Sequence, residues 1–424
     1  MIAFHFPPWK GSSGLERTLS FYRHLPEHDW LPIVLTAATS AYPATSDERM
    51  DGVRDDDRVS RAFALDATRH LAIRGRYPGL AAVPDPWASW AIAAVPRGLL
   101  LARKRRPTAI WSTYPIPTAH VIGYVLSKLT GLPWITDFRD PMVETDSRTG
   151  TKYPTNARIR QVRLWIEAKC ARHAARAVFC TDGAREIFLD RYPAFPRGHA
   201  VVIPNGYDEA AFTAAASTVA PLPPRPGVIT LVHSGVLYPG PDRDPIHFFA
   251  GLRSLLDENP QWHGRIRIVL RATGFDDRYA PKIEELGLSG TVTLEPPVSY
   301  QEALAEMLAA DGLLLFQGYT SNPAVPAKLY EYLRARKPIL AMVDAFGDTA
   351  SLLRREGVGH LAPIDDDMAI SAALASFLRS VQDCSAPVLG GNSHSRFERR
   401  HGAEALANLL RECTNTSVDQ AATQ

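Results

Sequence analysis

The chain has little cysteine, no long apolar run and almost no net charge, and each shortage excludes a class of protein. Its four cysteines, Cys170, Cys180, Cys384 and Cys413, have no metal-ligand spacing. Neither a zinc site nor a disulfide framework is expected, and reduced thiols point to a cytoplasmic protein. No uninterrupted apolar stretch reaches the roughly 18 residues of a membrane span. The formal charge of +2 in 424 residues argues against a nucleic-acid binder. The dinucleotide fingerprint with its acidic partner is absent too, so no nicotinamide cofactor is expected.

What remains is a globular composition, 46% hydrophobic and 22% charged, long enough for two domains of ordinary size. Short β-type apolar runs alternate with longer helical patterns, which predicts a parallel α/β architecture. Strands are expected at 1–6, 32–36, 109–112, 134–137, 177–180 and 200–203. A second set follows at 228–235, 265–271, 291–295, 312–316, 338–343 and 358–362. Helices fill the gaps, most clearly over 157–176, where Ile159, Val162, Ile166 and Cys170 recur at helical spacing. Met1 already lies inside the first strand, which is therefore short or continues upstream rather than being a secretory leader.

The small residues and prolines of 205–227 interrupt this rhythm and read as an interdomain linker. The expected organisation is an N-terminal Rossmann-like domain over 1–204, the linker, and a C-terminal Rossmann-like domain over 228–395. A helix over 396–413 crosses back to the first domain, and 414–424 is a frayed polar tail. Two doubly wound sheets of this kind bind ligands beyond the carboxyl ends of their strands, which predicts a site in the cleft between the domains.

One local charge run stands out from the balanced total, Arg103–Lys104–Arg105–Arg106, at the end of an apolar segment containing Trp87 and Trp90. Two readings fit it: a helix lying on an anionic bilayer, or a core-packed helix with a solvated basic end.

Several segments carry candidate chemistry. PPWKGSSGLER, at 7–17, places Gly11 and Gly14 in a strand-to-helix turn where a backbone approaches phosphate or sugar closely. His120 follows the third strand, as either a packed core residue or a site group. WITDFRDP ends its strand in Asp137, Arg139 and Asp140, a self-satisfied ion pair or a holder of sugar hydroxyls. Gly235 ends the strand of LVHSGVLYPGPDRDP; Arg243, in the loop after it, pairs with Asp242 or Asp244 or makes a bidentate phosphate contact. Gly274 ends another strand, a place suited to bordering a nucleotide base.

PAVPAKLYEYLRARKPIL, at 323–340, is the most informative stretch. Pro326 opens a helix whose first turn carries the cation Lys328, where the macrodipole disfavours positive charge. Either Glu331, one turn on, or a bound anion offsets it. An ammonium suits a diphosphate, and a carboxylate suits the two hydroxyls of a ribose. No carboxylate cluster reads as a metal site.

Taken together, FPPWKGSSGLER, STYPIPTAH leading to GLPWITDFRDP, VIPNGYDEAAF, HSGVLYPGPDRDP and PAKLYEYLRARKPIL resemble the GT-B glycosyltransferases. The likeness is to the family 4-like retaining enzymes of bacterial envelope and exopolysaccharide assembly. The resemblance implies an α/β fold of two Rossmann-like doubly wound domains facing across a cleft. It implies a nucleotide-sugar donor held by the C-terminal domain, a glycan or lipid-linked acceptor held by the N-terminal one, and no metal or other cofactor. By position, Glu331 takes the donor ribose, Lys328 and Arg243 take the diphosphate, and Gly14, Gly235 and Gly274 line the donor. His120, Asp137, Arg139 and Asp140 line the sugar and acceptor side, and peripheral contact with the inner face of the plasma membrane is expected. Two positions depart from the pattern: Pro323 stands where many relatives have a second glutamate, and Val236 replaces the usual first phosphate-binding arginine. More of the charge then falls to Arg243 and Lys328. A sugar-nucleotide epimerase and a non-catalytic nucleotide-sugar-binding subunit are the competing readings.

Overall fold

In the computed structural model, residues 1–11, 13–50, 52–53, 56–146, 148–221 and 225–422 are described. Ser12 of the glycine-serine turn, residues 222–224 of the expected linker and the last two residues of the expected tail lie outside the described residues. The chain forms two compact units, Met1–Asn205 joined by the residues from Arg399 onward, and Gly206–Glu398.

The strands of the first unit are β1 (Val34–Ala37), β2 (Val59–Ala62), β3 (Ile110–Thr113), β4 (Trp134–Arg139), a hairpin of β5 (Glu144–Thr145) and β6 (Lys152–Tyr153), β7 (Arg176–Phe179) and β8 (Ala200–Val202). Parallel pairs run β1–β2 and β3–β4–β7–β8. Ile2 bridges β1 and β3 in parallel, at Leu35 and Ser112, so the first residues occupy the place between those strands. The strand expected over 1–6 is thus reduced to one bridging residue. The chain bends at Phe4–His5 and turns at Pro7–Pro8, and proline has no N–H to continue a ladder. β2 was not expected, because VSRA places only two residues on the buried face and carries no apolar run.

Side chains alternate across this sheet, as the pleat requires. Ile110, Trp134 and Ala177 pack into one core with Trp90, Ile122, Leu126 and Ile166. Their neighbours Trp111, Ile135 and Val178 pack on the opposite face with Phe21, Leu25, Leu406 and Leu410. The last two belong to the C-terminal helix Arg399–Ala422, which therefore completes the layer of the first unit. The helix begins later and runs further than expected, through most of the supposed frayed tail, since neither glycine nor proline interrupts 403–422. The helix Ala157–His173 ends three residues earlier than expected because Arg176 already opens β7.

The second unit has β9 (Ile229–Ser234), β10 (Ile266–Arg271), β11 (Val292–Glu295), β12 (Gly312–Gln317), β13 (Ile339–Val343) and β14 (His360–Ala362). All six are parallel, in the order β11-β10-β9-β12-β13-β14. That is the 3-2-1-4-5-6 order of a dinucleotide-type Rossmann sheet, whose order reverses between its first and fourth strands. Both faces are covered. Val232, Leu313, Leu315 and Ala341 pack on helices carrying Leu304, Leu329 and Leu353, while Leu231, Leu314, Phe316 and Met342 pack on Phe248, Leu252 and Phe377. Within 205–227, expected to be linker, Asp208 caps the helix Glu209–Ala215 through the Ala211 N–H. Phe212 of that helix is buried in the core of the second unit, and Glu209 pairs with Arg334 at 2.5 Å.

Candidate functional site

The order reversal of the second unit falls between β9 and β12, and four of the residues singled out in the sequence gather at the carboxyl ends of those strands. Gly235 turns with φ of 115°, a region that favours glycine. A β-carbon there would stand 3.0 Å from Lys328 Nζ, so the ammonium lies directly against this turn. Lys328 comes from the second residue of the helix Ala327–Ala335, with Pro326 as its N-cap.

Lys328 Nζ is 3.1 Å from His233 Nε2. His233 is fully buried on β9, and its Nδ1 lies 2.9 Å from the Leu314 carbonyl. A carbonyl only accepts, so Nδ1 carries the hydrogen and Nε2 accepts from the ammonium. Burial, with Lys328 adding to it, holds the imidazole well below its ordinary range, so the ring is neutral. Lys328 in turn is lowered to about 7, first by desolvation and then by Arg243, with Glu331 acting in the opposite sense.

Arg243 Nε is 3.2 Å from Asp242 Oδ2 without hydrogen-bond geometry, and its guanidinium lies 5.7 Å from the Tyr238 ring centre. Asp244 is used elsewhere: it accepts from the Gly240 and Ile246 N–H groups and pairs with Arg278. The Arg243 loop is pinned to β12. The Gly318 N–H donates to the Asp242 carbonyl at 2.5 Å, and a β-carbon at Gly318 would come within 1.7 Å of the Pro241 carbonyl oxygen. No residue but glycine fits there.

Glu331, 9% exposed, accepts a hydrogen bond from Tyr300 Oη at 2.8 Å. Gly274, φ 76°, would place a β-carbon 3.5 Å from Val236, bordering the same turn. The arrangement is a lysine at the first turn of a helix, lowered by burial and by a neighbouring arginine. Such a place stabilises an anion, and an anion there relieves the mutual repulsion of the cations.

The residues singled out in the first unit are arranged differently. Arg17, from the helix Ser13–His24, grips Asp137 through Nε and Nη2 at 3.0 and 2.9 Å. Thr113 Oγ1 donates to the same carboxylate at 2.8 Å, and Arg17 Nη1 donates to the Pro204 carbonyl at 3.2 Å. Of the two readings of WITDFRDP, the self-satisfied local pair does not hold for Asp137, whose partner is 120 residues away. Arg139 takes a φ of 61° at a register shift in β4 and turns toward the Tyr114 carbonyl. Burial raises the Asp140 carboxyl, against Arg139 and Arg17.

His120 is wholly buried in the helix Thr118–Thr130. Its Nδ1 is 2.7 Å from Ser112 Oγ, which also accepts from Trp134 Nε1 at 2.8 Å, and its Nε2 has no hydrogen-bond partner among the described residues. Burial lowers it to about 3, so it stays neutral near pH 7. Gly14 is the second residue of its helix, where Thr18 Oγ1 donates to its carbonyl.

Arg17, His233 and Tyr300 were missed by the sequence reading. Arg17 lies within a segment singled out for its glycines, and His233 two residues before Gly235, but nothing local marks either as a partner of a distant side chain. Around the basic run, Trp90 is fully buried and Trp87 donates to the Ala41 carbonyl at 3.2 Å, so both tryptophans belong to the core rather than to an interfacial face. The exposed apolar residues of the helix Trp90–Arg105 are Ile92 and Leu100, on the same stripe as Arg103. Arg105 and Arg106 line a cavity of about 430 Å³ with Trp30, Trp111, Leu406 and Leu410, away from the carboxyl ends of the strands. Among the described residues no helix is long and apolar enough to cross a membrane, and no three His, Cys, Asp or Glu side chains group as a metal site.

Residues 14–206 match the family described as Glycosyl transferase 4-like domain. No curated protein sequence matches the chain. Among solved structures, sucrose-phosphate synthase from Thermosynechococcus elongatus superposes with a TM-score of 0.65 at 17% identity, over 98% of this chain and 99% of that one. An α,α-trehalose 6-phosphate synthase from Burkholderia multivorans gives 0.59 at 15%, over 100% and 99%. Anabaena HepE in complex with UDP-glucose gives 0.57 at 13%, over 100% and 99%. The chain thus carries a match to a glycosyl transferase 4-like domain in its N-terminal half and shares the two-domain fold of these structures over its whole length.

Proposed function

We propose that the chain is a retaining glycosyltransferase that moves a sugar from a nucleotide-diphosphate donor to a glycan or lipid-linked acceptor in envelope or exopolysaccharide assembly. The observation that carries this reading is the pair of cations, Lys328 and Arg243, at the order reversal of a Rossmann sheet, with Lys328 lowered to about 7 by burial and by its neighbour. A diphosphate is the ligand class that suits two such cations and the free N–H groups of a helix start. HepE, which shares the fold, binds UDP-glucose. Glu331 takes the ribose hydroxyls, while Gly235 and Gly274 let the nucleotide approach the backbone. The first unit takes the acceptor, with His120, Arg139 and Asp140 on that side.

In the reaction the anomeric C–O bond breaks and its oxygen leaves with the nucleoside diphosphate. An acceptor hydroxyl oxygen forms the new bond on the same face, and its proton passes to the departing phosphate oxygen. Lys328, Arg243 and the helix N–H groups stabilise the charge that develops on the leaving group, so no metal is required. Cytoplasmic placement with peripheral contact to anionic lipid completes the reading, through Ile92, Leu100, Arg103 and Lys104 rather than the tryptophans.

The test is a panel of UDP-, GDP- and ADP-sugars scored by melting temperature. A site-specific donor at 100 times its dissociation constant adds about 2.7 kcal/mol. The stabilising donor is then incubated with and without a bacterial lipid extract. Nucleoside diphosphate released only with the extract supports transfer to a lipid-linked acceptor, whereas an interconverted donor, or binding without turnover, overturns it.

A further inference from the structure

His233 has no role in the proposed function, yet its Nε2 lies within hydrogen-bond distance of the cation on which that proposal rests. Its ring cannot turn freely. Nδ1–H is held by the Leu314 carbonyl at 2.9 Å, and the ring packs edge-on against Phe316 with centres 5.2 Å apart. Nε2 therefore points one lone pair at Lys328 Nζ, 3.1 Å away. Lys328 has a long flexible stem that would otherwise sample many rotamers. With one ammonium hydrogen taken by His233, its head is fixed beside Gly235, at 3.0 Å from the place a β-carbon would occupy.

We propose that His233 is a positioning residue for the donor diphosphate, aiming the Lys328 ammonium at the Gly235 turn, and that diphosphate binding is coupled to uptake of one proton by Lys328 from solvent. This rests on the assignment of Lys328 to the diphosphate.

The charges facing Lys328 come from three elements. Neutral His233 lies on β9, and Arg243, paired with Asp242, comes from the loop after it. Glu331 comes from its own helix. Burial and Arg243 favour the neutral amine, whereas Glu331 and the lone pair of His233 favour the ammonium. Before the donor arrives, the first pair prevails enough that Lys328 loses its proton near pH 7. A diphosphate adds negative charge beside the amine, raises its pKa and draws the proton on. The sign follows from linkage: affinity is level below about 7 and falls as pH rises above it, by up to about tenfold per pH unit, until the pKa of the complex is reached. Sugar diphosphate diesters do not titrate between pH 6 and 9, so the break belongs to the protein.

The experiment measures the dissociation constants of UDP-glucose, GDP-mannose and ADP-glucose by calorimetry from pH 6 to 9, in two buffers of different ionisation enthalpy. For whichever binds, the wild type is expected to show the break near pH 7 and net proton uptake above it. His233→Phe, which keeps the ring volume but has no acceptor, is expected to bind about tenfold more weakly at pH 6 and to move the break to lower pH. His233→Gln, whose amide oxygen accepts, should recover most of the affinity. A wild-type affinity that is level across the range with no proton uptake overturns the inference, even if His233→Phe fails to fold, and so does a His233→Phe profile that keeps the wild-type break. Lys328→Met separates the two layers. If it abolishes binding while the wild type is level with pH, only the coupling falls; if it leaves affinity unchanged, the diphosphate assignment falls with it.

Discussion

The two units place charged side chains at the same topological position, beyond the carboxyl ends of parallel strands, and resolve the charge in opposite ways. In the first, Arg17 and Asp137 face one another with side chains almost wholly buried, and Thr113 completes the carboxylate. In the second, Lys328 sits against Arg243 and a neutral histidine. A charge whose hydrogen-bonding positions are filled by protein is a structural element, whereas a lysine at a helix start, lowered by burial and by a neighbouring guanidinium, is arranged for something that arrives from outside. The comparison moves Asp137 from the acceptor side to the framework of the first unit, and leaves Lys328 and Arg243 as the centre of the proposed donor site.

The comparison breaks most readily at Asp137. Asp137→Ala leaves Arg17 buried without its partner and should cost about 3–5 kcal/mol, read as a fall in denaturant midpoint. A loss of turnover with stability unchanged would return Asp137 to the substrate. Lys328→Met should do the reverse. It should weaken donor binding about 100-fold, near 2.7 kcal/mol, while the melting temperature of the free protein holds or rises, because a poorly compensated cation has been removed.

Next in size, Glu331→Gln keeps shape but loses a charged acceptor and should raise the donor dissociation constant about tenfold, near 1.4 kcal/mol, with kcat less affected. Tyr300→Phe removes only the hydroxyl that donates to Glu331 and should cost about 0.5–1.5 kcal/mol, seen as a smaller loss of donor affinity. The remaining effect is on stability with pH. Lys328 has a lowered folded pKa, so its charge disfavours the folded form most below about 7. That penalty is relieved as pH rises from there toward the unfolded value near 10.4. Wild type should therefore gain stability relative to Lys328→Met across that interval.

Much of this was legible in the order of residues. Apolar runs of strand length, separated by helical periods, mark eleven of the strands to within a few residues, because strands buried on both faces need continuous apolar stretches. The short strand β2 and the hairpin β5–β6 were not legible, since two to four residues of mixed polarity carry no periodicity. The helix start at Lys328 was legible as well, because the misfit of a cation in a first turn is a local property. For Trp87 and Trp90 the residue order left two readings open, for the opposite reason. Their composition suits a membrane interface, but the face that is buried depends on Phe4, about 80 residues earlier, whose ring centre lies 4.7 Å from that of Trp87.

Residue order alone was enough for the class of fold, the positions of most strands of the two parallel sheets and the segments that meet at the carboxyl ends of β9 and β12, because all of these follow from local periodicity and from what a strand end or a helix start favours. Only the tertiary structure decided which charges are spent and which are available. Asp137 finds Arg17 across 120 residues, and Lys328 finds His233 across 95. Whether a buried charge is satisfied is a question of what stands within 3 or 4 Å of it, and that distance is set by the packing of whole elements rather than by neighbours in the chain.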